Sequence, residues 1–272
     1  MVRTVLVTGT NSGLGLRTAI HLAGLGFRVV GTARSQEKLD VLHKAASDAG
    51  VEVEGAVLDV TDRAGREALV REVEPWGLDN NAGYMNVGRV VDVDPDEALR
   101  QLDALVVAPL HLAALALPAM RRRGSGRIVN VSSSIAYGTA VMTGWYQASK
   151  HALSAVTDAL RAEVAEDGID VVLIEPGGLD TRIWDRSEGD LLRRREQTGD
   201  RTAYDRALKL LHTVRPYMPG PERAAEAIGT ALTAGRPDVR YKIGLDVPFV
   251  RLSGRLLPDR AQDRLLRAVL GR

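Results

Sequence analysis

The chain has 272 residues, 45% of them hydrophobic, enough for one large α/β domain with a substantial core. Its 36 basic and 35 acidic residues nearly balance, giving a formal charge of +1, so a general attraction to nucleic acid is excluded. It has no cysteine, which removes disulfides, thiolate metal sites and cysteine nucleophiles, and its five histidines are scattered without metal-ligand spacing. No metal is expected, and the composition fits the reducing cytoplasm.

In chain order, the opening "TVLVTG" predicts a strand, followed by a helix from Leu14 to Leu25; its apolar run is too short for a signal peptide. "FRVVGTA" and Gln36 to Ala49, then "VEVEGAVLDV" and Asp62 to Val73, repeat the alternation of strand and helix. A long helix follows over about Asp96 to Arg122. Its centre, "LVVAPLHLAALALPAM", is strongly apolar but shorter than the roughly 20 residues of a membrane span, so it is read as a buried helix. The strand "GRIVNVS", a helix carrying Tyr146, and the strand "DVVLIEP" complete the regular part. Strands too apolar to alternate, each followed by a helix, imply a Rossmann-type doubly wound parallel sheet covered on both faces. One domain spanning 1–272 is expected. Residues 179–220, rich in Arg, Asp and Glu, are read as a substrate flap or a solvated insertion; "RYKIG" suits the sheet edge, and 249–272 reads as a basic helical tail.

Between the first strand and helix lies "TGTNSGLG", where Gly9, Thr10, Asn11, Ser12, Gly13, Leu14 and Gly15 form a glycine-rich turn. Such a turn lets backbone approach a pyrophosphate, which the free N–H groups of the helix start then attract. The second strand ends on Ala33 where an NAD site would place a carboxylate, and Arg34 follows. A guanidinium suits a 2′-phosphate, so NADP(H) is preferred over NAD(H); the alternative is that Arg34 caps the strand in solvent. Asp59 and Val60 close the third strand, with Asp59 suited either to an adenine amino group or to capping a helix, a role that Asp62 or Thr61 fits first.

Tyr146 and Lys150 stand four residues apart on one helix face. The glycine turn, Asp59, "NNAG" at Asn80 to Gly83, the serine run before the Y-x-x-x-K pair and "PGG" at Pro176 to Gly178 occur in one order. Together they resemble the classical short-chain dehydrogenase/reductase family over nearly the whole chain, and the tail resembles its hydroxysteroid and retinol-type members. The resemblance implies hydride transfer between a nicotinamide and a carbonyl or alcohol, with Tyr146 as general acid or base. Lys150 and an oxidised nicotinamide would lower the phenol's pKa from its usual 10 or so. Ser133, thirteen positions before Tyr146, would hydrogen-bond the substrate oxygen. Lys150 would also hold the nicotinamide ribose, Asn81, Ala82 and Gly83 would form the cofactor floor, and Pro176, Gly177 and Thr181 would hold the carboxamide. A homodimer or homotetramer, paired through the helices near Asp96 to Arg122 and Trp145 to Ala165, is implied as well.

For the substrate, Tyr137, Met142, Trp145 and Trp184, with Met218 from beyond the flap, suggest an apolar pocket for a small-molecule hydrophobic ketone, aldehyde or secondary alcohol; the alternative is that they are plain core. Membrane contact is not expected. Two features depart from the family pattern. Leu105 stands where relatives carry an asparagine that holds a proton-relay water, and leucine has no polar atom to offer. In "WGLDNNAG", Asp79 meets Asn80 directly, about three residues short of the usual strand, and a buried Asp79 would be costly without donors. These departures motivate the alternative of a cofactor-binding sensor or scaffold with little catalysis; an isomerase or dehydratase using the same pair ranks third.

Overall fold

The computed structural model describes residues 2–137 and 139–244, together with positions 258, 260, 261, 263, 264 and 267, so most of the expected tail falls outside the described residues. Seven strands form one parallel sheet: β1 Thr4–Val7, β2 Arg28–Ala33, β3 Glu54–Val57, β4 Gly77–Asn80, β5 Gly126–Val131, β6 Ile169–Pro176 and β7 Arg240–Ile243. Their spatial order is β3-β2-β1-β4-β5-β6-β7, so the winding reverses between β1 and β4 and opens a crevice at the strand carboxyl ends. Strand β7, the "RYKIG" segment, sits at the edge as expected.

Period-two alternation divides the core. Val5 and Val7, Val129 and Val131, and Val172 and Ile174 face one way, against helices α1 Gly13–Gly24, α2 Gln36–Asp48 and α9 Glu222–Thr233. Leu6, Leu78, Ile128 and Val171 face the other, against α3 Arg63–Val73, α5 Ala108–Arg123 and α6 Gly144–Glu163. Asp62 accepts from the Ala64 N–H and caps α3, as the sequence suggested.

The expected long helix begins as α4 Pro95–Leu102, widens through a π-helical stretch at Asp103–Val107, and continues as α5. Pro109 has no N–H to return to the Leu105 carbonyl four residues back, which favours a wider turn there. By length and composition alone Pro95–Arg123 could cross a membrane; half of its most apolar window is buried inside the fold.

Segment 179–220 folds into α7 Ile183–Gln197 and α8 Arg201–Val214, which enclose a third apolar cluster with Met85, Val87 and Met142. Buried Arg194 ties α7 to Glu97 of α4 and to the Val87 carbonyl, while the buried Tyr204 phenol donates to Asp92.

The shortened segment before Asn80 leaves the sheet continuous. Helix α3 ends at Val73, Glu74 turns through a left-handed conformation (φ 40°), and Pro75 and Trp76 lead straight into β4. Trp76 already donates to Thr4 and accepts from Arg127, so ladder bonding starts one residue before the four-residue strand. The run from Trp76 to Asn80 thus spans the sheet without a gap. The consequence falls on Asp79, which pairs with Val7 and Val129 at a fully buried position normally suited to an apolar side chain. Among the described residues neither carboxyl oxygen has a hydrogen-bond partner, and burial pushes its pKa up to about 8.

Asp79 binds its proton more tightly folded than unfolded, where a carboxyl titrates near 4. Its contribution to stability is therefore full below about pH 4 and is lost as pH rises through about 8. Urea unfolding at intervals from pH 5 to 9 should show this decline, and Asp79→Val should flatten it and raise the midpoint most at the alkaline end.

Candidate active site

The crevice is floored by hydrogen bonds between the ends of β1, β2 and β4. The Thr8 hydroxyl donates to the Asp79 carbonyl at 3.2 Å and accepts from the N–H groups of Asn81 and Ala82, both at 3.0 Å. The Asn81 amide donates back to the carbonyls of Thr8 and Gly9. Gly9 adopts φ 74°, and a Cβ there would meet Ala82 Cα at 2.8 Å; a Cβ at Gly15 would meet the Asn81 amide at 2.3 Å. Both positions thus need glycine. Beneath them, Asn80 donates to Asn130 and to the Pro109 carbonyl, and Asn130 donates to Thr157, a buried polar ladder linking β4, β5 and α6.

Above this floor a cleft of about 710 Å³ gathers most of the residues singled out in the sequence. Gly9, Asn11, Ser12, Gly13, Leu14 and Gly15 line one end with Arg34, Asp59 and Val60. Asn81, Ala82 and Gly83 line the floor, Ser133, Tyr146 and Lys150 the centre, and Pro176, Gly177, Thr181 and Trp184 the far wall. Ser12 precedes α1 with no side-chain capping bond, which leaves the helix N–H groups open to an anion. Arg34 is exposed with no carboxylate partner. Asp59 accepts from the Thr61 N–H and hydroxyl through one oxygen, leaving the other available. Burial works against its charge, but the Thr61 bonds, Arg34 and Lys38 together hold its pKa below the usual value. This set fits a phosphorylated dinucleotide: open N–H groups for a pyrophosphate, a free guanidinium for a further phosphate, and a carboxylate for a base amino group.

At the centre, the Lys150 ammonium lies 5.6 Å from the Tyr146 ring centroid and donates to the Val131 carbonyl at 2.7 Å. Ser133 follows β5, with its hydroxyl near the Pro176 carbonyl. Burial pushes the Tyr146 phenol up to about 12, against a smaller opposing pull from Ser133, and pushes Lys150 down to about 8. Without a nicotinamide beside it, the protein's own environment raises the phenol's pKa; the lowering that the family resemblance implies calls for the oxidised coenzyme as well as Lys150. Desolvation outweighs the Ser133 hydrogen bond, so in the protein without coenzyme the phenol is held as a proton donor.

Five of the candidate site residues stand outside the cleft. Thr10 is buried beneath the glycine turn, its hydroxyl donating to the Thr32 carbonyl, so it braces the loop. Tyr137 donates to Glu175 at 2.5 Å and accepts from Arg240, which locks it into a network that holds β7 against β6. Met142 (φ 67°) is buried in the third apolar cluster, and Trp145 donates to the Val90 carbonyl. Of the expected pocket residues, only Trp184 lines the cleft, and Met218 packs beneath Gly178. Sequence reasoning missed Tyr84 and Met85, which directly follow "NNAG", Ile135, Ala140, Leu179 and Ile183, and the arginines at 100, 182 and 186. Extending each motif by a few residues would have found most of these; Arg100 arrives from α4 with no local signal. Leu105, buried in the π-helical stretch, lines the cleft against Gly83.

Comparison with known proteins agrees with this arrangement. The profile of the short chain dehydrogenase family matches residues 3–191. The uncharacterized oxidoreductase YbbO of Escherichia coli (strain K12) is 31% identical, the match covering 98% of this chain and 94% of YbbO. The crystal structure of a short-chain dehydrogenase from Streptomyces avermitilis superposes with a TM-score of 0.77 at 30% identity, covering 98% of this chain and 95% of that one. A variant of the actinorhodin polyketide ketoreductase, solved with NADPH, gives a TM-score of 0.76 at 28% identity, covering 90% and 97%. With a matched profile over more than half its length, the fold to go with it and the glycine turn, serine, tyrosine and lysine in one cleft, the chain belongs to the short-chain dehydrogenase family and is an oxidoreductase of that family.

Proposed function

We propose that this protein reduces a small-molecule ketone or aldehyde, or oxidises the corresponding secondary alcohol, with NADP(H) in preference to NAD(H). The observation that carries this reading is the meeting of Ser133, Tyr146 and Lys150 in the cleft that the glycine turn and Arg34 enter from the other end. The NADPH-bound ketoreductase among the similar structures supports the choice of coenzyme. Asn11 to Gly15 at the start of α1 would hold the pyrophosphate, Arg34 the 2′-phosphate, Asp59 the adenine, Lys150 the ribose, and Pro176, Gly177 and Thr181 the carboxamide. The dihydronicotinamide supplies the hydride when bound.

The protein supplies the proton. Tyr146, held neutral by burial, gives its phenolic proton to the carbonyl oxygen in reduction, and the Ser133 hydroxyl hydrogen-bonds that oxygen as negative charge develops on it. The buried Lys150 cation stabilises the phenolate that remains. Met85, Ile135, Ala140, Leu179, Ile183 and Trp184 offer an apolar wall to the hydrophobic part of the substrate. The intact sheet at Asn80 removes one reason to favour a non-catalytic role. Leu105 leaves the proton to return by a path other than the family's asparagine-held water. We place the working protein in the cytoplasm as a homodimer or homotetramer, a state that sedimentation reads directly.

Thermal unfolding with each coenzyme tests the site: a ligand at about 100 times its Kd stabilises the native state by about 2.7 kcal/mol. NADPH should raise the Tm clearly and NADH little, and Arg34→Ala should erase the difference. Tyr146→Phe should cut carbonyl reduction by about 100-fold or more while keeping the NADPH shift; unchanged turnover would overturn the assignment. Reduction by the wild type should also fall as pH rises through about 8, where Lys150 loses its charge.

A further inference from the structure

The chain is almost electrically neutral, yet its cleft is not. Besides Lys150, four arginines line it (Arg34, Arg100, Arg182 and Arg186), against a single carboxylate, Asp59. Among the described residues none of the four has a carboxylate within ion-pair distance, whereas other arginines of the α7–α8 region are paired: Arg193 and Arg194 with Glu97, Arg195 with Asp205, and Arg215 with Asp180. All four are solvent-exposed where they line the cleft, so together they present a positive field to whatever enters it.

The bound coenzyme accounts for only part of this charge. Its pyrophosphate is served by the α1 N-terminus and its 2′-phosphate by Arg34, under the functional reading on which this inference rests. Arg100, Arg182 and Arg186 come from different elements, the first from α4 and the other two from the start of α7. The Arg186 guanidinium stacks on the Tyr84 ring, 3.9 Å from its centroid, and Tyr84 follows the cofactor floor directly. Stacking fixes the planar group while leaving its N–H edge free to grip an oxyanion. Glu97 clamps α7 to α4 through Arg193 and Arg194, so Arg100 and Arg186 are presented from a braced pair of helices. Burial raises the Tyr84 pKa, and Arg186, Arg100 and Arg34 pull against that rise, which marks them as sharing one neighbourhood.

We propose that Arg100 and Arg186, the latter with Tyr84 as its platform, recognise a carboxylate or phosphate-like anionic group carried by the substrate, so that the natural substrate is an anionic amphiphile: a carbonyl on an apolar chain that ends in a negative charge. The apolar wall at Ile135, Ile183 and Trp184 takes the chain. Arg182 stands at the same rim and adds to the attraction.

The test compares oxo acids, with the ketone three to eight carbons from the carboxylate, with their methyl esters. For at least one chain length, wild type should show a kcat/KM at least 10-fold higher for the acid than for its ester. In the double variant Arg100→Met/Arg186→Met, which keeps an apolar stem at each position, that ratio should fall at least 10-fold. The Kd for NADPH, measured by fluorescence, separates the two sources of anion: a loss of NADPH affinity matching the loss of kcat/KM would assign these arginines to the coenzyme phosphates and overturn the proposal. So would an ester preference at every length, or an unaltered ratio in the variant. If no compound is turned over, the oxidoreductase reading fails separately, and calorimetric titration of the NADPH-loaded protein still decides this one. Tighter binding of acid than ester, lost in the variant, supports it; equal binding overturns it.

Discussion

The rest of the structure depends on the joint between β1 and β4, held by the Thr8 hydroxyl. Two central strands that part company at their carboxyl ends must be kept together just where the crevice opens. Thr8 does this by bonding to Asp79 on one side and to Asn81 and Ala82 on the other, while Asn81 returns its amide to the turn after β1. The glycine turn, the cofactor floor and, through the buried ladder of Asn80, Asn130 and Thr157, the helix bearing Tyr146 and Lys150 are thereby fixed to one frame. A catalytic group is useful only if its distance from the reacting atom is set in advance, and here that distance is set by main-chain and amide hydrogen bonds in the core.

That frame lies directly over an energetic weakness. Asp79 contributes its carbonyl to the joint but buries its carboxyl without a donor. The short connection explains how the residue is tolerated: with Trp76 already bonded to both neighbouring strands, β4 has no slack with which to slip Asp79 toward solvent. A one-residue slip would also reverse the facing of Leu78, which the second core cluster requires.

The fold and the gathering of the glycine turn, Arg34 and Asp59 at one end of the cleft were legible because both rest on local patterns. Apolar runs marked the strands, and the glycine turn, Arg34, the asparagine pair and the tyrosine-lysine spacing each sit within a few residues of a strand end. The substrate end was not. Tyr137 and Trp145 look like pocket residues because they are large and near Tyr146, but partners distant in sequence, Glu175 and Val90, hold them elsewhere. The direction of the Tyr146 pKa without coenzyme was also out of reach, since desolvation is a property of the packed interior. At Asp79 the strand forms despite its short apolar run, because Trp76, beyond the strand's own residues, already bonds to both neighbouring strands.

The α7–α8 hairpin has its own apolar cluster, centred on Leu191, Tyr204 and Leu211, separate from the two layers that clothe the sheet. Changes within it should add to, and not multiply, changes in the main core, because the two share few contacts. The hairpin's own share of the proposed substrate wall, Ile183, Trp184 and Arg186, is therefore carried by a unit of some thirty residues that can be rewritten with little penalty to the sheet layers, whereas Tyr84, Arg100 and Ile135 stay with the scaffold.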